Sequence, residues 1–398
     1  LKGLKIRSTF DVDLSYGNNK YWTPRYYYHS INYNFRSSMG KSAERWFTWQ
    51  FENTATYNKT FGDHNITALA GMTARDYNHY YMHGRGEVLR EESWDFAMLN
   101  AALSDSTKAA ATGYRDQNRL FSYFGRVQYD FKNKYMINAT LRADGSSKLA
   151  EGNKFKYFPS FSLGWVISRE DFWPLDVVNF VKLRASWGQN GSIGSLGNFD
   201  YVSTVASGAE PSYYISGGTR LTGAEPTRLS NPDLVWETSE QTDIGIDLQF
   251  WDGMVAFSAD YYLKRTIDLI TEGAVPEYVG NTKPFVNAGN VVNEGLELEL
   301  TFKKRSGDFN YSLSANAAYL KNRVTYIGNQ ASVLLGANLG TTGAITRSEE
   351  NKPIWYFYGY KAKGIFDSFE DINNYTNAQG GLIQPDAIPG DVIFEDIN

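Results

Sequence analysis

The chain contains no cysteine, so no disulfide can staple it and no thiolate can hold a metal. It has no run of eighteen or more apolar residues, which excludes a membrane-spanning helix. Positive charge is neither abundant nor clustered: 39 Lys and Arg against 44 Asp and Glu leave a net charge of -5, without the basic stripe that binding nucleic acid requires. Histidine is rare, with four in the chain. His79 and His83 do not form an HExxH pair, and with His29 and His64 they read as incidental or loop residues. Neither a GxxxxGKS/T phosphate loop nor a GxSxG nucleophile elbow occurs. The neighbouring carboxylates Glu91/Glu92 and Glu349/Glu350 read as solvated pairs. No catalytic residue, cofactor or metal site is therefore expected, and the chain is not read as an enzyme.

What is abundant is aromatic: 28 Tyr, 24 Phe and 10 Trp, together 16% of the chain, accompanied by 36 Gly. That mixture suits strands and loops rather than helices. The order of residues agrees. Phe121, Tyr123, Val127, Tyr129 and Phe131 alternate with Ser122, Arg126, Gln128 and Asp130; after Lys132-Asn133 the alternation resumes through Tyr135, Ile137, Ala139 and Leu141. Period two means strand, and the short polar break means hairpin. The same pattern recurs around Ile244 to Phe250, Val255 to Leu263, Leu296 to Phe302 and Phe309 to Tyr319.

Strands are expected at 4-16, 46-59, 65-76, 119-131, 134-145, 158-168, 180-188, 234-250, 254-264, 293-304, 309-321 and 353-363, with a short loop helix at 97-111. Short links alternate with long loops at 17-45, 77-118, 146-157, 189-233, 265-292 and 322-352. An antiparallel meander puts successive connections at opposite ends, and transmembrane barrels carry short turns at one end and long loops at the other. A barrel strand needs only about 9 to 11 residues to cross a bilayer, so the mean hydropathy of -0.44 is compatible with a membrane. The alternation assigns Ile137, Leu141, Leu163, Trp165, Leu183, Leu248, Phe257 and Leu313 to the lipid face. Arg142, Lys182, Arg184, Asp247, Asp260, Glu297 and Glu299 go to the lumen. Tyr57, Tyr129, Tyr135, Tyr261, Tyr262 and Tyr319 are expected in interfacial girdles.

Several local motifs are more specific. Leu141-Arg142-Ala143-Asp144-Gly145-Ser146-Ser147-Lys148, Phe158-Pro159-Ser160-Phe161-Ser162-Leu163-Gly164-Trp165, Ser168-Arg169-Glu170-Asp171-Phe172, Val181-Lys182-Leu183-Arg184-Ala185-Ser186-Trp187-Gly188, Asn231-Pro232-Asp233-Leu234-Val235-Trp236-Glu237-Thr238 and Pro389-Gly390-Asp391-Val392 follow one another in the order found in the SusC/RagA family of TonB-linked outer-membrane transporters, which the chain closely resembles. The resemblance implies an all-β fold: a transmembrane antiparallel β-barrel of about twenty-two strands, of which residues 1-398 are an incomplete part. The plug domain and terminal strands are read as lying outside the chain. It further implies the outer membrane of a Gram-negative bacterium of the Bacteroidetes, contact with outer-membrane lipids, a SusD-like surface lipoprotein as lid, and energy delivered by TonB. The implied activity is import of glycans or oligosaccharides, in some members of peptides. A passive porin, a surface-binding barrel or, more remotely, a soluble carbohydrate-binding β-protein are the alternatives.

Tyr21, Trp22, Tyr26, Tyr27, Tyr28, Tyr213 and Tyr214 fall in the expected long loops. Exposed rings there can stack on the apolar faces of sugars while nearby Asn, Asp and Arg bind hydroxyls. Loop packing or contact with a lid is the plainer reading of the same residues.

Overall fold

The computed structural model describes residues 2-101, 110-174, 177-207, 213-273, 275, 278, 280-306, 308-328, 333-340 and 343-395. It divides into two units, residues 1-321 with 328-330, and residues 322-327 with 331-398.

The first unit is dominated by one antiparallel sheet of eleven strands ordered as they occur in the chain, the last of which ends within the second unit. These are β1 (Leu4–Thr23), β2 (Ser38–Phe61), β3 (His64–Glu87), β4 (Ala110–Phe131), β5 (Tyr135–Ser146), β6 (Phe155–Val166), β7 (Val178–Ser192), β8 (Glu237–Phe250), β9 (Val255–Ile267), β10 (Gly289–Ser306) and β11 (Phe309–Ile327). The sheet is open, with β1 and β11 at its edges. The tight turns are chemically apt: Lys132 and Asn133 both take left-handed backbone between β4 and β5, as do Trp251, Asp252 and Gly253 between β8 and β9. Where β7 meets β8 a bulge lets Asn179 Oδ1 accept from Asp252 N at 2.6 Å, closing that end.

Residues directly opposed across a ladder share a face. One register row runs Ile137, Leu163, Ala185, Ile244, Tyr261, Leu296 across β5 to β10; the adjacent row runs Met136, Gly164, Arg184, Gly245, Asp260, Glu297. The seven apolar residues assigned to lipid on β5 to β9 and the seven charged residues assigned to the lumen therefore sort onto opposite faces, and the bond between Thr301 and Ser314 puts Leu313 with the apolar set. The apolar face is the bare one. Leu141 is 52% exposed, Leu163 45% and Leu300 47%, with no second layer packed upon them. A bare apolar face of this extent, on strands long enough to cross a bilayer, suits hydrocarbon, so it is the outside, and the polar face is the lumen. Tyr262 departs from its expected girdle position: it opposes Asp243 and Gly295 on the lumen face, because it sits one residue out of step with Tyr261.

The strands outrun the expected ones. β2 and β3 have 24 residues each, roughly 80 Å of extended chain, well beyond what a bilayer needs. Much of the expected loops 17-45 and 77-118 is consequently strand, because backbone pairing continues after the apolar row has ended and polar side chains have taken its place. The expected strand 353-363 does not form as one piece: Tyr356–Phe357 and Ala362–Ile365 belong to separate small sheets, and Trp355 takes a positive φ that interrupts extended backbone. At 97-111 the described part is a single 3-10 turn, Leu99–Ala101, then the start of β4; residues 102-109 lie outside the described residues.

The loops opposite the tight turns build their own core from Leu149, Leu196, Leu234, Trp236 and Ile270 against Phe158 of β6. Trp236 Nε1 donates to Lys154 O at 2.9 Å, and Asn231 Nδ2 to Phe285 O at 2.8 Å. Asn287 clamps two loops, donating to Val235 O and Asp268 O and accepting from Val235 N. In the second unit, Phe366 and Ile372 are buried, and the helix Phe369–Asn374 is started by a capping box between Ser368 and Asp371.

Candidate functional site in the lumen wall

The lumen face carries two different surfaces. Near the tight turns, Asn65, Thr67, Gln128, Asp130, Asn138, Ser162, Lys182, Arg184, Ser186 and Asp243 line a shallow concavity of about 540 Å³. Arg184 dominates it. Its guanidinium donates to Asp247 at 2.8 and 2.9 Å and to Asp260 at 2.9 and 3.0 Å. A Cβ on Gly245 would collide with the Asp260 carboxylate, so the glycine makes room for this pair.

Toward the long loops the lumen face becomes aromatic. Along β3, Tyr77, His79, Tyr81 and His83 occupy alternate positions and so face the lumen together, opposite Trp46 and Glu44 of β2 and Tyr114 and Asp116 of β4. Trp46 stacks on His79 with ring centres 4.9 Å apart, and His79 meets Tyr114 edge to face at 5.5 Å. Tyr114 stacks on Tyr81 at 5.0 Å, Tyr81 on His83 at 6.2 Å, and His83 on Tyr21 at 5.9 Å. Six rings thus form a continuous ladder, extending roughly 20 Å along the strand direction. Polar groups are interleaved: His79 Nε2 lies 3.0 Å from Glu44 Oε2, and Tyr21 OH 3.3 Å from His83 Nε2. The Tyr21 ring lies where a side chain at residue 40 would stand, and Gly40 is what permits it. Tyr114 is 53% exposed, leaving ring surface open to the lumen. Flat rings with carboxylate and imidazole edges beside them can hold a ligand that is apolar on its faces and hydroxylated at its rim.

The residues singled out from sequence separate. Tyr21 joins the ladder. Trp22, one residue on, faces outward and packs against Met39, Leu89 and Ala97. Tyr26, Tyr27 and Tyr28 lie on the hairpin made by Tyr26–His29 and Asn32–Asn34. There Tyr27 packs with Tyr33 and Phe35, and Tyr28 is exposed. Tyr213 and Tyr214 begin another hairpin, Tyr213–Ser216 with Thr219–Thr222. Trp46, Tyr81 and Tyr114 escaped the sequence reading, and His79 and His83, read there as incidental or loop residues, stand on a strand in the ladder; Tyr77, His79, Tyr81 and His83 at every second position carried the necessary signal.

This geometry can be set beside known proteins. Residues 4–381 match the model of the TonB dependent receptor-like, beta-barrel family. TonB-dependent receptor P3 of Formosa agariphila is 30% identical over 357 residues, which are 87% of this chain and 34% of that protein. TonB-dependent receptor SusC of Bacteroides thetaiotaomicron is 27% identical over 343 residues, 85% of this chain and 33% of that protein. The solved RagAB peptide transporter superposes with a TM-score of 0.79 at 22% identity, over 92% of this chain and 39% of that one. The chain spans about a third of the length of these curated relatives. Meander topology, apolar exterior, polar lumen and the family match over nearly the whole length agree: the chain belongs to the TonB-dependent receptor β-barrel family of the outer membrane.

Proposed function

We propose that this chain supplies wall, lumen and extracellular loops to an active importer of oligosaccharides, working without making or breaking bonds in its cargo. The lumen-facing aromatic ladder carries the reading. Stacked rings flanked by Glu44 and Asp116 offer what a sugar needs: π-surface for its C-H faces and acceptors for its hydroxyls. Many weak contacts spread over the ladder would let an oligomer slide inward rather than lodge at one point. Kinship to SusC supports a SusD-like surface lipoprotein closing the extracellular mouth and TonB supplying the work that clears the lumen. Peptide cargo is the competing identity, raised by the fold shared with the RagAB peptide transporter.

Uptake of a labelled glycan and peptide panel by cells expressing the full-length receptor tests this. With TonB present, Trp46→Ala combined with Tyr81→Ala is expected to reduce glycan uptake at least tenfold, at about 1–3 kcal/mol per lost stacking ring. Surface amount should stay unchanged. Uptake of peptides alone, or of glycans equally with and without TonB, would overturn the proposal.

A further inference from the structure

Directly behind the aromatic ladder, the outward face of β2 to β4 changes character. On β3 and β4 the outward apolar residues end at Ala74 and Phe121, while β2 carries Trp49 and Phe47 on through the next two rows. The next three rows toward the long loops bring Asp76 beside Arg119, Asn78 beside Gln117, and Tyr80 between Arg45 and Arg115. These side chains look away from the lumen, immediately above a surface that requires lipid.

The cluster is built rather than scattered. Asp76, whose side chain is 8% exposed, accepts from Arg119 Nε at 2.7 Å, from Gln117 Nε2 at 3.0 Å on each oxygen, and from Asn78. Arg115 donates to Asn78 at 2.9 Å and to Gln117 at 3.2 Å. Arg45 and Arg115 approach the same Tyr80 ring, 4.6 and 5.1 Å from its centre. The patch thus sets three guanidiniums against one carboxylate, of which Arg119 alone pairs with it, and the Arg119 side chain stays 68% exposed. Two cations flanking one ring repel each other, and an anion lying over the exposed outer edge of the patch would relieve the repulsion.

From this arrangement we infer that the outward Arg45–Tyr80–Arg115–Arg119 patch is a binding site for the phosphate groups of a phosphorylated glycolipid in the outer leaflet. The position selects the ligand: a group held here must have its acyl chains along Phe51, Phe121 and Tyr123 and its anionic head one to three rows higher. Arginine meets phosphate with paired N–H donors, which suits a fixed headgroup better than a single diffuse charge does. The inference does not depend on the cargo, because the patch and the ladder occupy opposite faces of the same strands.

The test uses the full-length receptor in mild detergent, with lipid binding followed by native mass spectrometry. The added molecules are bis-phosphorylated lipid A, its dephosphorylated form and inorganic phosphate alone. Bis-phosphorylated lipid A is expected to bind, with the other two at least tenfold weaker. Arg45→Gln combined with Arg115→Gln should weaken its binding roughly thirtyfold, from two guanidiniums near an anionic surface, with uptake of cargo retained. Equal binding of the dephosphorylated lipid would overturn the site without recourse to any variant. So would inorganic phosphate binding as tightly as the lipid, or a double variant that keeps heat-modifiable barrel migration and full lipid affinity. A double variant that altered only the monomer–dimer ratio would assign the patch to a second copy and overturn it equally.

Discussion

At the scale of single residues, the lumen is held by charges that depend on one another. Arg184 satisfies two carboxylates at once, Asp247 and Asp260, in a partly solvated setting. Arg184→Met keeps most of the volume but leaves two like charges on neighbouring strands without their shared donor. A loss of about 1–3 kcal/mol is expected, read as a lower midpoint of urea unfolding in micelles, with Arg184→Lys intermediate. Beside the tight turns, Glu170 behaves differently. Hydrogen bonds from Tyr135 OH at 2.5 Å, Trp165 Nε1 at 3.0 Å and Lys134 Nζ at 3.1 Å hold its carboxyl down at about 2, against an ordinary 4.5. A depressed folded-state pKa stabilises the fold above the ordinary value, and that contribution fades as pH falls from about 4.5 through about 2. Unfolding midpoints measured against pH should therefore drop in this window for the wild type, and the drop should be shallower in Glu170→Gln.

At the scale of elements, strands were legible in the sequence wherever one face was greasy, and their ends were not. The alternation through Phe121 to Leu141 located β4, β5 and the turn between them, since a one-residue slip would have put every apolar side chain in the lumen. Past the apolar rows that constraint disappears. Tyr77 to Glu87 keeps pairing although both of its faces are polar or aromatic, so a reading tuned to hydrophobic alternation stopped at residue 76 and missed most of the ladder. Loop contacts were less legible still, because they join residues far apart in the chain. Asn231, Leu234 and Trp236 carried a family motif in the sequence, and the structure shows the motif's physical work, two buried side chains and a carbonyl clamp. Asn287 had no such flag, yet it makes three hydrogen bonds to the segments around Val235 and Asp268. Asn287→Ala should free these loops at a cost of about 1–3 kcal/mol. The checks are faster amide exchange at Val235 and Leu269 and new protease cleavage between residues 228 and 236, with the strand amides of β5 and β6 unchanged.

At the scale of the whole molecule, the fold inverts the usual relation between burial and hydrophobicity, and adjacent residues give the sharpest test of that. Leu163 and Ser162 are neighbours in β6, with the same backbone pairing to β5 and β7. Leu163 opposes Ile137 and Ala185 on the bare apolar face, whereas Ser162 opposes Asn138 and Ser186 and lines the polar concavity with Asp130 and Asp243. In a soluble sandwich with the apolar rows buried, arginine at 163 would destroy the core and arginine at 162 would point into water. In a membrane wall the outward arginine meets hydrocarbon at a cost of about 2–4 kcal/mol near the midplane. The inward one enters a wet hollow that holds Asp130 and Asp243 as well as Lys182 and Arg184, and costs little. The two models separate by solvent: Leu163→Arg should weaken folding of the full-length receptor into vesicles by that amount and weaken it less in thin-chain lipid, where the residue lies nearer the interface, while Ser162→Arg should fold as the wild type does in both. A Leu163→Arg penalty unaffected by acyl-chain length would mean that protein, and not lipid, covers that face.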